Sequence, residues 1–559
     1  MAKFTIYQVI VRHFGNRTTT NKYDGNIAEN GCGKMNDFTA KALSEIKNLG
    51  ISHVWYTGIL EHATQTDYAA YGIKSDHKAV VKGKAGSPYA VKDYYDVDPD
   101  LAVDVDKRIN EFENLVKRTH KADLKVIIDF IPNHVAREYH SDAKPAGIKD
   151  LGETDNSDWA FSPLNNFYYI PNQVFKPNFE IQDYIEFPAK ATGNDQFTAS
   201  PNVNDWYETI KLNYGVNYTE GGQKQFDPLP NTWLKMYDIL HFWASKKVDG
   251  FRCDMAEMVP VEFWGWVIPR LKIDFPELIF IAEVYNPAEY RNYIFNGKFD
   301  YLYDKVGLYD KLRSILTENH DASDLSHCWQ ALDGIENNML NFLENHDEQR
   351  IASDFFCRDA KRAFPAMVIA ATLTQAPVMI YSGQEFGEKG MDNEGFSGPD
   401  GRTTIFDYRS IESVQNWFNN GKFGEEKLTD EQKLIRSFYK KLMNISLTEK
   451  AITEGQLYDL EYANFYNPHF NTHKHFAYFR KSENDLLLIV VNFNSNEANL
   501  KIAIPSEVFD FLQIENGIKV TVKDILNTDI QEFKIHLTSI EKFEISVSKH
   551  SACILKLSY

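Results

Sequence analysis

The sequence predicts an α/β protein: a (β/α)8 TIM barrel with a domain inserted after strand 3 and a C-terminal antiparallel β-sandwich. Three observations carry that reading. Short apolar, β-rich runs alternate with amphipathic helical stretches through most of the chain, the pattern of βα units and a parallel sheet. After the third run the alternation is lost for roughly a hundred residues, a length that marks a functional lid or small subdomain. From about residue 450 onward only short alternating runs separated by turns remain, as in a sandwich.

Taken in order, the candidate strands are FTIYQVIV, SHVWYTG, KVIIDFIP, VDGFRCD, LIFIAEVY, FDYLYDKV, MLNFLEN and APVMIYSG. Between them, DFTAKALSEIKNLG, DVDKRINEFENLVKRTHKADL and NTWLKMYDILHFWASKK place apolar residues at three and four spacing with a polar opposite face, as helices packed on a sheet do. Parallel strands so covered close into a barrel. The alternative, an open doubly wound sheet, lacks its Gly-rich phosphate turn after the first strand. The barrel is thus expected over residues 1–133 and 235–449, the insertion over 134–234 and the sandwich over 450–559. HFAYFRK, DLLLIVVNFN, NLKIAI, KVTVKDIL, FKIHL, KFEISV and SACILKLSY supply its strands, with no helix of consequence.

Composition narrows the function. With 60 basic and 79 acidic residues the net charge is −19, which argues against nucleic acid and favours a neutral ligand. Aromatic residues make up 14%, a generous supply of flat apolar faces. Cys32, Cys253, Cys328, Cys357 and Cys553 are too scattered for a disulfide framework or a zinc site. No apolar run approaches the roughly 18 residues of a membrane span. The start MAKFTIYQV has no leader pattern, so a cytoplasmic protein is expected, with export after removal of a signal as the alternative. Oligomeric state is not legible.

In barrels of this type chemistry sits at the C-terminal strand ends. Strand 3 closes with Asp129, Asn133 and His134, strand 4 with Arg252 and Asp254, strand 5 with Glu283, and strand 7 with His346 and Asp347. Arg252 and Asp254 are two apart and leave strand 4 on one face, Cys253 on the other. A guanidinium is always charged and favours an ionised neighbour, so Asp254 should stay an anion. Each residue alone has a plainer explanation, since strand-end acids cap helices and a lone histidine is usually structural. Their convergence on one rim is harder to explain that way.

DFIPNH, GFRCD, AEV and ENHD, in this order, resemble the four signature regions of the α-amylase family of glycoside hydrolases, family 13. APVMIYSGQEFG is similar to a further segment, and the layout of barrel, inserted B domain and sandwich also resembles the family's. The resemblance implies an enzyme that cleaves α-glucosidic bonds with retention and without a redox cofactor. Asp254 would be the nucleophile, Glu283 the acid and base, and Asp347 the holder of the sugar's C2 and C3 hydroxyls. Tyr89, His134, Arg252 and His346 would contact the same sugar or the nucleophile, with Asp129 a structural partner. The rivals within reach of the same residues are glucan transfer, disaccharide isomerisation, α-1,6 cleavage, and a relative that binds carbohydrate without catalysis. The family often holds Ca²⁺ through an asparagine matching Asn133 and a B-domain aspartate, where this chain has Lys211. No calcium is expected there, because an ammonium can take its place. The oxygen-rich loop NRTTTNKYDGNIAENG could hold a cation, the plainer reading being a solvated loop.

Overall fold

All eight apolar runs become staves of one cylinder. They are β1 (Thr5–Ile10), β2 (His53–Thr57), β3 (Lys125–Phe130), β4 (Gly250–Cys253), β5 (Ile279–Ala282), β6 (Tyr301–Tyr303), β7 (Met339–Phe342) and β8 (Val378–Tyr381). Every neighbouring pair is parallel, and β1 pairs with both β2 and β8, which closes the barrel. This computed structural model describes residues 3–318, 320–483, 485–527 and 531–559. The staves read as apolar runs because both faces are covered. Ile6, Trp55, Ile127, Ile281, Leu340 and Met379 fill the interior, and their sequence neighbours face the helices.

The helices form where spacing and caps agree. Helix α1 (Ala40–Asn48) starts at Thr39, whose hydroxyl accepts from Ala42 N at 3.2 Å, and it buries Ala42, Leu43 and Ile46. Helix α2 (Arg108–Lys121) buries Phe112, Leu115, Val116 and Thr119, one stripe at three and four spacing. Helix α3 begins at Asn231, directly after Pro230, and runs to Ser245. It therefore starts inside the stretch assigned by sequence to the insertion.

The insertion is irregular, held by two- and three-residue strand pairs such as His134–Ala136 with Thr209–Lys211. It has a small core of its own around Phe175, Ala189 and Ala199. Beyond the barrel, β9 (Gln456–Asp459), β10 (His475–Lys481), β11 (Leu486–Asn492), β12 (Ala498–Ile502), β13 (Ile518–Asp524), β14 (Phe533–Leu537), β15 (Phe543–Val547) and β16 (Ser551–Ser558) make the sandwich. Six lie in the order β9-β10-β11-β16-β13-β14, while β12 and β15 pair separately across a shared core including Leu488, Leu500, Ile545 and Leu555. The expectation of no helix of consequence is corrected here. Ser506–Leu512 is helical and seats Val508, Phe509 and Leu512 in that core, an i, i+1, i+4 face too short to register as a period.

All five cysteines are free thiols. Among the described residues no helix is long and apolar enough to cross a membrane.

Candidate active site

The site is built around Arg252, which is fully buried at the end of β4. Asp129 and Arg252 are register partners on neighbouring staves, so their side chains enter the barrel mouth at one level. The guanidinium is surrounded by the rings of Trp55, Tyr89 and Tyr303 at 5.3, 5.4 and 5.4 Å. Its Nη1 lies 2.8 Å from Asp254 Oδ1 and 3.4 Å from Asp129 Oδ1, and its Nη2 lies 2.7 Å from Glu283 Oε2. Trp55 Nε1 donates to the other Asp129 oxygen at 2.9 Å, and Tyr89 Oη stands 3.4 Å from Oδ1. Cys253 points the opposite way and is buried.

One planar cation thus spans Asp254 and Glu283. Their facing oxygens can then be no more than about 8 Å apart, within the range over which two carboxyls work on one glycosidic bond. The backbone adds a second link, because Met255 N donates to Glu283 Oε2 at 2.8 Å. Met255 reaches that position in the left-handed region, φ 41° and ψ 41°, which an unbranched side chain tolerates at a cost. Glu283 Oε1 has a different partner, the Tyr285 hydroxyl, which donates to it at 2.5 Å.

Asp347 lies across the cleft and is 32% exposed. His346 Nε2 sits 2.9 Å from its Oδ2, and Gln8 Nε2 lies 2.7 Å from His346 Nδ1. An amide nitrogen can only donate, so Nδ1 accepts and Nε2 carries the ring proton toward the cleft. Tyr89 stacks on that imidazole at 4.8 Å. His134 lies on the B-domain side, 5.3 Å from the Trp206 ring. Burial, aided by the Lys211 charge, brings its imidazole down to about 3, so it is neutral.

The charges are less simply arranged than Arg252 alone implies. Burial pushes the Asp254 carboxyl well above the usual carboxylate range, Glu283 and Asp347 add to the push, and Arg252 opposes it. Arg252, 2.8 Å away, favours the anion as the sequence reading expects, while burial among Glu283 and Asp347 works against it. Burial would raise Asp347 too, but His346, Arg252 and Arg402 bring it below the ordinary value.

These side chains floor a cleft of about 440 Å³, with Trp206, Phe396 and Phe406 on its walls. Of the insertion's aromatics, Trp206 lines the cleft, Phe167, Tyr168 and Tyr169 are buried, and Trp159 is 57% exposed. Two partners were missed by sequence reasoning. Gln8 is a lone polar residue inside an apolar strand, and Tyr285 lies two residues past Glu283; both signals were present.

Lys211, Asn133 and Asp195 form a separate cluster beneath the B domain, Lys211 and Asn133 buried and Asp195 partly exposed. Lys211 Nζ lies 2.6 Å from Asn133 Oδ1 and 2.6 Å from Asp195 Oδ1, with the Tyr218 ring at 5.5 Å. Asn133 Nδ2 donates to Gly193 O at 2.8 Å. In the first βα loop the side-chain oxygens of Asn16, Asn21, Asn26 and Asn30 accept from backbone amides.

A closed parallel barrel whose C-terminal strand ends gather acids beneath an aromatic-walled cleft has the build of a barrel enzyme. Residues 8–444 match the family model for the α-amylase catalytic domain, and the chain belongs to that family. It is 24% identical over 533 residues to α-amylase 3 of Dictyoglomus thermophilum, covering 91% of this chain and 89% of that one. Its fold is similar to that of a noncanonic maltogenic α-amylase, AmyB, from Thermotoga neapolitana (TM-score 0.63, 18% identity, 100% and 99% coverage). The same holds for the α-amylase of Geobacillus thermoleovorans complexed with acarbose (TM-score 0.63, 20% identity, 100% and 98% coverage).

Proposed function

We propose that the protein hydrolyses α-1,4-glucosidic bonds in starch, glycogen or maltooligosaccharides, with retention through a covalent glycosyl–Asp254 intermediate. The observation that supports this most is the single guanidinium spanning Asp254 and Glu283 in the cleft floor. Asp254 Oδ1 is held by Arg252, so Oδ2 is the oxygen left to attack the anomeric carbon. As that bond forms and the glycosidic bond breaks, Glu283 gives its proton to the leaving oxygen. Glu283 Oε2 already accepts from Arg252 and Met255 N, which assigns the mobile proton to Oε1, beside Tyr285. In the second half, Glu283 takes a proton from water, whose oxygen displaces Asp254. Asp347, His346 and His134 hold the sugar while positive charge develops on its ring, and Tyr89 offers it a flat face.

Product analysis tests the reaction. Maltoheptaose is expected to give shorter maltooligosaccharides only, with isomaltose, sucrose and trehalose left intact. Products longer than the substrate would make this a transferase, and cleavage of isomaltose alone an α-1,6-glucosidase.

We further infer that Lys211 stands where a calcium ion would otherwise join barrel and B domain. Lys211→Ala strips two oxygens of their cation and should cost about 2–3 kcal/mol of stability. Added Ca²⁺ should recover the lost Tm by more than it raises that of the unchanged chain. An unaltered Tm in the variant would remove the ammonium's structural role.

A further inference from the structure

A group of acids outside the cleft has no part in the reaction above. After β2 the chain forms an antiparallel hairpin, Leu60–His62 against Val91–Val97, with register shifts on both sides of Glu61. Such irregularities re-aim a side chain, and here they set Glu61 directly opposite Asp93. Two carboxylates facing each other across a strand pair repel, more so when buried. Glu61, Asp93 and Asp96 are 1, 0 and 0% exposed, and one oxygen of each lies within 4.8 Å of the others.

The surrounding cations are already committed. Arg108 Nε bonds both Asp96 oxygens at 2.9 Å, Lys92 Nζ bonds Asp76 at 3.2 Å, and His62 lies 2.8 Å from Asp98. Asp93 accepts only from neutral donors: Ser141 Oγ at 2.6 Å, Tyr95 N at 2.7 Å and Ala143 N at 3.0 Å. Neither Glu61 oxygen accepts a hydrogen bond among the described residues, and Lys92 Nζ is 3.9 Å away. Glu61 thus has only Lys92, which it shares with Asp76, and Asp93 has no ion-pair partner among the described residues. Two negative charges call for a divalent cation. Calcium binds oxygens at 2.3–2.6 Å, so oxygens around one ion lie no more than about 5 Å apart, a limit these three satisfy.

We propose that Glu61, Asp93 and Asp96 bind a calcium ion. Asp93 accepts from Ser141 and Ala143 at the start of the insertion, and the hairpin strand begins two residues after Tyr89. The ion therefore staples the B domain to the segment that presents the cleft's stacking ring. It is distinct from the Lys211 cluster and independent of the proposed reaction.

The test uses the full chain, dialysed against chelator and titrated with CaCl₂ by calorimetry and thermal melting. One equivalent is expected to bind, raising Tm by about 5 °C at a hundredfold excess over Kd. Glu61→Gln keeps the shape, relieves the repulsion and should fold with an equal or higher metal-free Tm, yet show no calcium response. Absence of binding heat and of any Tm shift in the unchanged chain would overturn the proposal. A calcium response that persists in Glu61→Gln would place the ion elsewhere and overturn it equally. If that variant fails to fold, Tb³⁺ luminescence sensitised by Tyr94 and Tyr95 in the unchanged chain decides, silence counting against the site.

Discussion

Asp254→Asn is expected to lower kcat on maltoheptaose by at least about 10⁴-fold, or roughly 5.5 kcal/mol of transition-state stabilisation. The amide keeps the carboxyl's shape and can still accept from Arg252 Nη1, so the cleft should be preserved. What disappears is the anion that bonds the anomeric carbon, and no neighbour can replace it. Asp129 is turned into the barrel toward Trp55, and Asp347 is engaged by His346. Stability should not fall with activity. Arg252 retains Glu283 at 2.7 Å, and one of several mutually repelling carboxyls has gone, so Tm is expected to hold or rise. Initial rates and melting curves on the same preparation check both halves. Undiminished turnover would remove Asp254 as nucleophile, and a variant that loses nothing because the parent never turns over would identify a carbohydrate-binding relative.

The staves were legible because a strand covered on both faces has no reason to be polar, and each apolar run such as KVIIDF or VMIY betrays itself. Arg252 and Asp254 could be placed together because they belong to one strand with a period of two. Relations across the closure of the barrel could not. Gln8 meets His346 over 338 positions, a pairing set by β1 lying beside β8 and β7 beyond it, and the histidine's tautomer follows from that contact. Likewise the state of Asp254 depends on its burial among Glu283 and Asp347, which no pairwise reading of GFRCD contains. The Glu61–Asp93 apposition arises from a shifted hairpin register, and register in an irregular segment leaves little trace in sequence. Local chemistry was thus readable, whereas the electrostatics that tune it came from long-range packing.

Glu283→Gln separates proton transfer from nucleophilic attack. The glutamine oxygen can take over the bonds from Arg252 and Met255 N, leaving its amide toward Tyr285, so geometry survives while the mobile proton is lost. General acid catalysis is worth about 10²–10⁴-fold, and the loss should be near the upper end for a glucan, whose leaving hydroxyl is a poor one. A dinitrophenyl glucoside leaves without protonation, so its bond to the sugar should break with less than about tenfold loss. The missing base then slows the second half-reaction, and the glycosyl–Asp254 species should accumulate and be visible by mass spectrometry. Azide attacks without needing deprotonation, so it should restore turnover on the activated substrate and yield the glucosyl azide. Equal losses on both substrates, with no azide rescue, would assign the proton to another group, and Tyr285, the partner of Oε1, would be the first to substitute.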